Sequence, residues 1–151
     1  MKKIIFLILI LSQAALAQTV NRYEAEMLKN PNKGGKDTRE VNAVLIFEKD
    51  VLRINSRRKN ETFRELKYSD IKYVEHSYSK TPQSTVATKA AILALFTGGL
   101  PLFYGQEEKH WLTILTENDF VVLKIENDNF RLLKMEFLVR DFDLINVNEN
   151  R

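Results

Sequence analysis

The stretch HWLTILTENDFVVLKIENDNFRLLKMEFL, residues 110–138, contains three of the elements that decide the fold. Two runs rich in β-branched and aromatic residues, 110–116 and 120–126, flank the polar triplet 117–119, and this pattern predicts a β-hairpin. After the hairpin, apolar residues recur at three- and four-residue steps, which predicts an amphipathic helix. Its predicted inner face consists of Phe130, Leu133, Phe137 and Leu138. We therefore expect β-strands followed by one helix that ends near Arg140.

Finer details of this stretch also follow from its pattern. Asn127 or Asp128 is the predicted N-cap of the helix, because a short side-chain oxygen accepts the first free backbone N–H groups. Arg131, Lys134 and Glu136 are predicted to lie outside. In the hairpin, alternation predicts Leu112, Ile114, Phe120 and Val122 on one face, with Trp111 packed against the insertion or the closing helix.

The segments before residue 80 predict further strands. A β-branched and aromatic run at 43–48 and a second at 51–55 are separated only by Lys49 and Asp50, which indicates a tight hairpin. Two more strands are predicted at 62–68 and 71–78. The alternation around Tyr23 favours a first strand, with a short helix as the alternative. Six or seven antiparallel strands with regular turns favour a sandwich or barrel, and the helix is placed to cover its open end.

An apolar insertion, residues 80–107, interrupts the strands. Glycine and proline at its centre predict a helix over 87–96 followed by a turn, which is too short to cross a bilayer. The sequence leaves open whether it covers the domain as a lid, contacts a protein partner or a second copy in a homodimer, or touches a membrane surface or lipid. The proposed apolar contact residues within 90–104 are Leu95, Phe96, Leu100, Leu102, Phe103 and Tyr104.

The N-terminus resembles a secretory signal peptide. Lys2 and Lys3 precede an eight-residue apolar run, and Ala15 and Ala17 supply the small residues that a signal peptidase recognises. Cleavage is expected between Ala17 and Gln18, so residues 1–17 would be removed and the protein would be periplasmic or secreted. The chain contains no cysteine, so its stability cannot depend on disulfides.

Charge argues against a nucleic-acid partner. The chain carries 23 basic and 20 acidic residues, and two of the basic ones belong to the predicted signal peptide. Without them the balance is 21 against 20, close to neutral. A nucleic-acid-binding domain would show a strong basic excess.

Three stretches resemble the bacterial pleckstrin-homology-like (PH-like) and GRAM-like domains. LKYSDIKYV (66–74) is similar to their strand-to-strand turn, KHWLTI (109–114) with FVVLKI (120–125) to their late hairpin, and NDNFRLL (127–133) to the start of their closing helix. The resemblance covers residues 41–148 and implies a partly open antiparallel barrel closed by the C-terminal helix. Residues 18–40 would form an N-terminal strand and loop. The residues 140–143, RDFD, replace the glycine-containing turn that usually ends that helix.

The resemblance also implies an anion-binding loop. Basic residues near early strand loops hold inositol phosphates in PH domains, and Arg53, Arg57, Arg58 and Lys59 are this chain's counterparts. The alternative is an ordinary solvated turn, because Glu48, Asp50 and Glu61 lie nearby. An exported protein of bacterial appearance is not expected to meet inositol lipids.

No catalytic motif accompanies these features. The chain has no nucleophile elbow and no glycine-rich phosphate loop, and no cofactor or metal is expected. His76 and His110 are the only histidines, and strands 71–78 and 110–116 could bring them together. We therefore expect a non-catalytic exported binding or assembly module, not an enzyme. The alternatives are a carrier of a lipid or other apolar ligand and, third, a cryptic hydrolase or metal site at the two histidines.

Overall fold

The computed structural model of the chain describes residues 21–29, 39–59, 61–79 and 108–147. The predicted signal peptide and the insertion 80–107 lie outside the described residues, as do the six proposed apolar contact residues of the insertion. Among the described residues, no helix is long and apolar enough to span a membrane.

The described part is mainly β, as predicted. The strands are β1 (Asn21–Lys29), β2 (Arg39–Phe47), β3 (Val51–Ser56), β4 (Thr62–Lys67), β5 (Ile71–Ser79), β6 (Lys109–Thr116), β7 (Phe120–Ile125) and β8 (Leu144–Asn146). A 3-10 turn at Tyr68–Asp70 joins β4 to β5, and the helix α1 (Asn127–Leu138) follows β7.

All eight strands belong to one sheet, in the order β4-β3-β2-β1-β7-β6-β5-β8. Every pairing is antiparallel except that of β8, which runs parallel to β5. Within the described residues the sheet is therefore mixed and open, with β4 and β8 at its edges. The prediction of six or seven strands, all antiparallel, is wrong in the count and in the direction of β8. The predicted hairpins at 43–55 and 110–126 are confirmed as β2–β3 and β6–β7.

The first strand occupies the middle of the sheet. β1 pairs along its whole length with β2, and its Glu26 and Met27 also pair with Lys124 and Leu123 of β7. It therefore joins the meander β1–β4 to the meander β5–β7. Buried and exposed side chains alternate along β1 only in part, because Ala25, Met27 and Leu28 are all buried whereas Glu24 is exposed.

The main core lies on one face of the sheet and beneath α1. Leu45, Leu52, Ile54, Leu112, Ile114, Leu123 and Ile125 are fully buried there together with Leu133 and Phe137 of the helix. The Phe137 ring lies edge-on to that of Phe47, with centroids 5.3 Å apart. One helix thus covers strands from both meanders.

The prediction for the faces of α1 is correct for three of the four inner residues and wrong for Leu138 and for the outer residue Glu136. Leu133 and Phe137 are buried, and Phe130 is partly buried against the core. Leu138, however, is exposed, and Glu136, predicted to lie outside, is buried. The reason is that the buried arc of the helix is centred on Leu133, with Glu136 on one side and Phe137 on the other, so residue 138 lies well outside it.

Both ends of α1 differ from the expected capping. Glu126, not Asn127 or Asp128, is the N-cap, and it makes no side-chain capping hydrogen bond. At the other end, the N–H of Phe142 bonds to the carbonyl of Phe137 and the N–H of Asp141 to that of Leu138. This is a Schellman motif, and Asp141 takes the left-handed conformation with φ 63° that glycine usually supplies. The turn at 140–143 therefore ends the helix in the usual geometry without the usual glycine.

A second apolar cluster lies on the other face of the β6–β7 hairpin. It contains Leu28, Trp111, Leu115, Phe120 and Val122. The predicted packing of Trp111 against the closing helix is therefore wrong, and the alternative, packing against the insertion, lies outside the described residues. The prediction that Phe120 and Val122 share a face of the sheet with Leu112 and Ile114 is therefore wrong. In the actual register Leu115 pairs with Phe120 and Thr113 with Val122, which puts the two β7 side chains on the face of Trp111.

Candidate anion-binding hollow

A surface hollow at one end of the sheet brings four basic residues together. Its volume is about 300 Å³. It lies between the end of β1, the start of β2 and the turn that joins β3 to β4. The residues that line it are Lys29, Arg39, Glu40, Val41, Asn42, Ser56, Arg58, Lys59, Glu61 and Phe63.

Four cations reach this hollow because of strand register. Lys29 is the last residue of β1 and pairs directly with Arg39, the first residue of β2. Arg58 and Lys59 extend from the neighbouring β3–β4 turn, where the backbone N–H of Lys59 bonds to the Ser56 hydroxyl at 3.1 Å. Two hairpin ends therefore place their basic residues side by side.

Among the described residues, no carboxylate lies within ion-pair distance of these four cations. No ion pair within the described residues involves Lys29, Arg39, Arg58 or Lys59. Lys29 instead lies over the Phe63 ring, with its Nζ 5.2 Å from the ring centroid. The long stem of a lysine packs well on an aromatic ring while its ammonium stays accessible.

The acidic residues of the hollow reduce this positive charge without cancelling it. Glu40 binds the ammonium of Lys124 at 2.6 Å, and Glu26 binds the same ammonium. Burial and the neighbouring Glu26 raise the pKa of Glu40, whereas the hydrogen bond to Lys124 helps to lower that of Glu26. This triad has a formal charge of −1, and Glu61 adds another −1. Against four cations, the formal net charge is +2.

The structure divides the four predicted anion-binding residues into two pairs. Arg53 bonds to Glu48 at 2.8 Å and to Glu65 at 2.9 Å, and Arg57 pairs with Glu24 at 2.9 Å. Arg58 and Lys59 line the hollow. Two of the four predicted cations are therefore engaged by carboxylates, and the other two are available to a ligand.

Sequence reasoning missed Lys29 and Arg39. They are ten residues apart, on either side of the polar, glycine-containing segment 30–38. A β1–β2 hairpin across that segment would have placed them opposite each other, which is the signal that could have found them.

The two histidines do meet, as the sequence suggested. His76 Nε2 and His110 Nδ1 are 2.9 Å apart, so one ring donates a hydrogen bond to the other. Both rings stack on Phe130 at the start of α1, with centroids 4.3 Å and 3.9 Å from it. Among the described residues, no three metal-binding side chains lie together. The pair is thus a contact between β5, β6 and the helix.

This contact should make the protein sensitive to acid. Burial, then the charges of His110 and Lys134, lower the pKa of His76 to about 4. In the unfolded chain the histidine pKa is near 6.5, so the unfolded state binds the proton more readily than the folded state. The neutral His76 therefore stabilises the fold above pH 6.5, and this stabilisation is lost as the pH falls toward 4. Allowing for partial exposure, we expect a loss of about 1–2 kcal/mol.

Urea unfolding at pH 7 and pH 4.5 measures this loss. Carboxylates also titrate in this range, so the comparison is with His76→Phe, which keeps an aromatic ring against Phe130. Between pH 7 and pH 4.5, the free energy of unfolding of the variant should fall by about 1–2 kcal/mol less than that of the wild-type protein. Equal losses in both proteins would show that the histidine pair is not responsible.

Neither a protein-family model nor a curated protein matches this chain.

Proposed function

We propose that this protein is an exported, non-catalytic binding module whose hollow at Lys29, Arg39, Arg58 and Lys59 holds an oxyanion such as phosphate. The observation that carries the proposal is the convergence of four cations, from two hairpin ends, without carboxylate partners among the described residues. The oxyanion could belong to a free small molecule or to a head group.

The residue types suit this ligand. An arginine presents a planar fork of N–H donors that matches two oxygens of a phosphate, and lysine adds a compact positive charge. Arg39 and Arg58 would supply the forks, and Lys29 and Lys59 the point charges. Val41 and Phe63 give the hollow an apolar wall, so it can also accept a carbon group attached to the anion.

The proposed architecture is a PH-like, partly open barrel. Two observations support this architecture. The sheet consists of two meanders joined through β1, and a C-terminal helix packs on its core. The segment 90–104 is proposed as an apolar contact for a protein partner, a second copy or a lipid surface. The carrier alternative gains no support from the described part, because the core face there is filled by packed side chains.

Isothermal titration calorimetry with inorganic phosphate, at low ionic strength and pH 7, tests the proposal. The double variant Arg58→Glu, Lys59→Glu should bind at least about tenfold more weakly, because each charge-assisted contact contributes about 1.5–3 kcal/mol. The matched control is Arg53→Gln, since that arginine is already engaged by Glu48 and Glu65. Equal affinity in the double variant and the wild-type protein would contradict the proposal.

A further inference from the structure

The outer side of α1 carries an apolar stripe that contacts no other described element. Leu132 and Met135 are each 55% exposed, Val139 is 71% exposed and Leu138 is 36% exposed. Only Tyr78 and Ile145 join them among the exposed large apolar residues of the described part. We call Leu132, Met135, Leu138 and Val139 the α1 stripe.

The stripe is continuous along the second half of the helix. Residues three, four and seven positions apart lie on one side of a helix, and the members of the stripe have this spacing. The opposite side holds Leu133 and Phe137, which are already buried in the core. A contiguous exposed apolar patch on a folded domain usually marks an interaction site. The helix thus has one apolar face in its own core and a second that no described element covers.

We propose that two copies of this protein associate through the α1 stripe, helix against helix in antiparallel orientation. A two-fold axis at the middle of the stripe places Leu132 opposite Val139 of the second copy and Met135 opposite its own counterpart. Apolar residues at such spacing on both helices form ridges that pack into the facing grooves. Such an interface is self-complementary, as a two-fold dimer requires.

Charge favours a second copy as the occupant. Arg131 lies at one end of the stripe and Asp141 just beyond the other, and both are exposed and form no ion pair within the described residues. In an antiparallel dimer, Arg131 of each copy lies next to Asp141 of the other, which gives two opposite-charge pairs. The two helix dipoles also run in opposite directions, which is favourable. Within the described part of the chain, the unpaired exposed charges of α1 and the turn after it are Arg131 and Lys134 against Asp128, Asp141 and Asp143, a net −1, so they offer no attraction to an anionic membrane.

The size of the stripe sets the strength of this association. A helix of 12 residues is about 18 Å long, and its stripe can bury only on the order of a few hundred Å² per copy. Stable complexes usually bury about 800 Å² per partner. The dimer should therefore be weak, with a dissociation constant in the range of about 10 µM to 1 mM.

Sedimentation equilibrium between about 10 µM and 1 mM protein tests this association. The wild-type protein should show a reversible monomer–dimer equilibrium, and Leu132→Gln with Val139→Gln should weaken it at least about tenfold. Ile145→Gln, which removes an exposed apolar residue outside the stripe, is the matched control and should leave it unchanged.

A charge exchange then tests the antiparallel arrangement. Arg131→Asp alone and Asp141→Arg alone should each weaken the dimer, and the double variant should recover most of the lost affinity. A wild-type protein that stays monomeric up to about 1 mM would overturn the proposal. So would a dimer unaffected by the Leu132 and Val139 substitutions, or a double variant as weak as the sum of its single changes. Each outcome is independent of phosphate binding in the hollow.

Discussion

Replacing Phe137 by alanine is expected to lower the free energy of unfolding by about 3–5 kcal/mol, the usual cost of truncating a fully buried phenylalanine. Phe137 has no exposed surface, and its ring contacts those of Phe47 and Phe142 at centroid distances of 5.3 Å and 6.5 Å. Its removal would leave a cavity between α1 and the sheet. Urea unfolding followed by Trp111 fluorescence measures the change.

The matched control for Phe137 is Met135→Ala in the same helix. Met135 is more than half exposed, so its truncation should cost less than about 1 kcal/mol at concentrations where the protein is monomeric. An equal, small effect of both changes would mean that α1 does not hold the sheet together.

Replacing Glu136 by alanine is expected to lower the free energy of unfolding by about 2–3 kcal/mol. The carboxylate accepts hydrogen bonds from Asn21, from the Tyr23 hydroxyl at 2.8 Å and from Arg140 at 2.6 Å. It thereby ties α1 to the first strand. Breaking a fully buried ion pair costs about 3–5 kcal/mol, and the partial exposure of Arg140 lowers that value here.

A double-mutant cycle separates this contact from a general loss of packing. Tyr23→Phe alone should cost about 1 kcal/mol, and it should cost much less when Glu136 is already alanine, because its acceptor is gone. Glu117→Ala is the control, since Glu117 is exposed and its ion pair with Lys72 at 3.5 Å should contribute little. If the losses of unfolding free energy caused by Tyr23→Phe and Glu136→Ala were strictly additive, the hydrogen bond between the two side chains would be contradicted.

The sequence predicted the element types well because its strongest signals are local. The hairpins at 43–55 and 110–126 have β-branched runs on both sides of a short polar turn, so pattern alone locates them. The helix also follows from its apolar spacing. Glu136 shows the limit of such reasoning, because its burial depends on Asn21 and Tyr23, more than a hundred residues earlier.

The candidate site was only half predictable for the same physical reason. Arg58 and Lys59 stand out as neighbours in a turn, and the sequence indicates them. Arg53 and Arg57 looked equally available, but Arg53 is bonded by its cross-strand neighbour Glu65, and Arg57 by Glu24 of β1. Which carboxylate lies near each arginine is set by strand pairing and register. Lys29 and Arg39 become members of the site only once β1 and β2 are paired.

The central claim is that the four cations of the hollow hold an oxyanion. The most direct test is a titration of isotope-labelled protein with inorganic phosphate, followed by amide chemical shifts in NMR spectra. Saturable shift changes should concentrate at Lys29, Arg39, Arg58 and Lys59, and they should disappear in the Arg58→Glu, Lys59→Glu variant. Shifts that do not saturate, or that cluster away from these four residues, would contradict the claim.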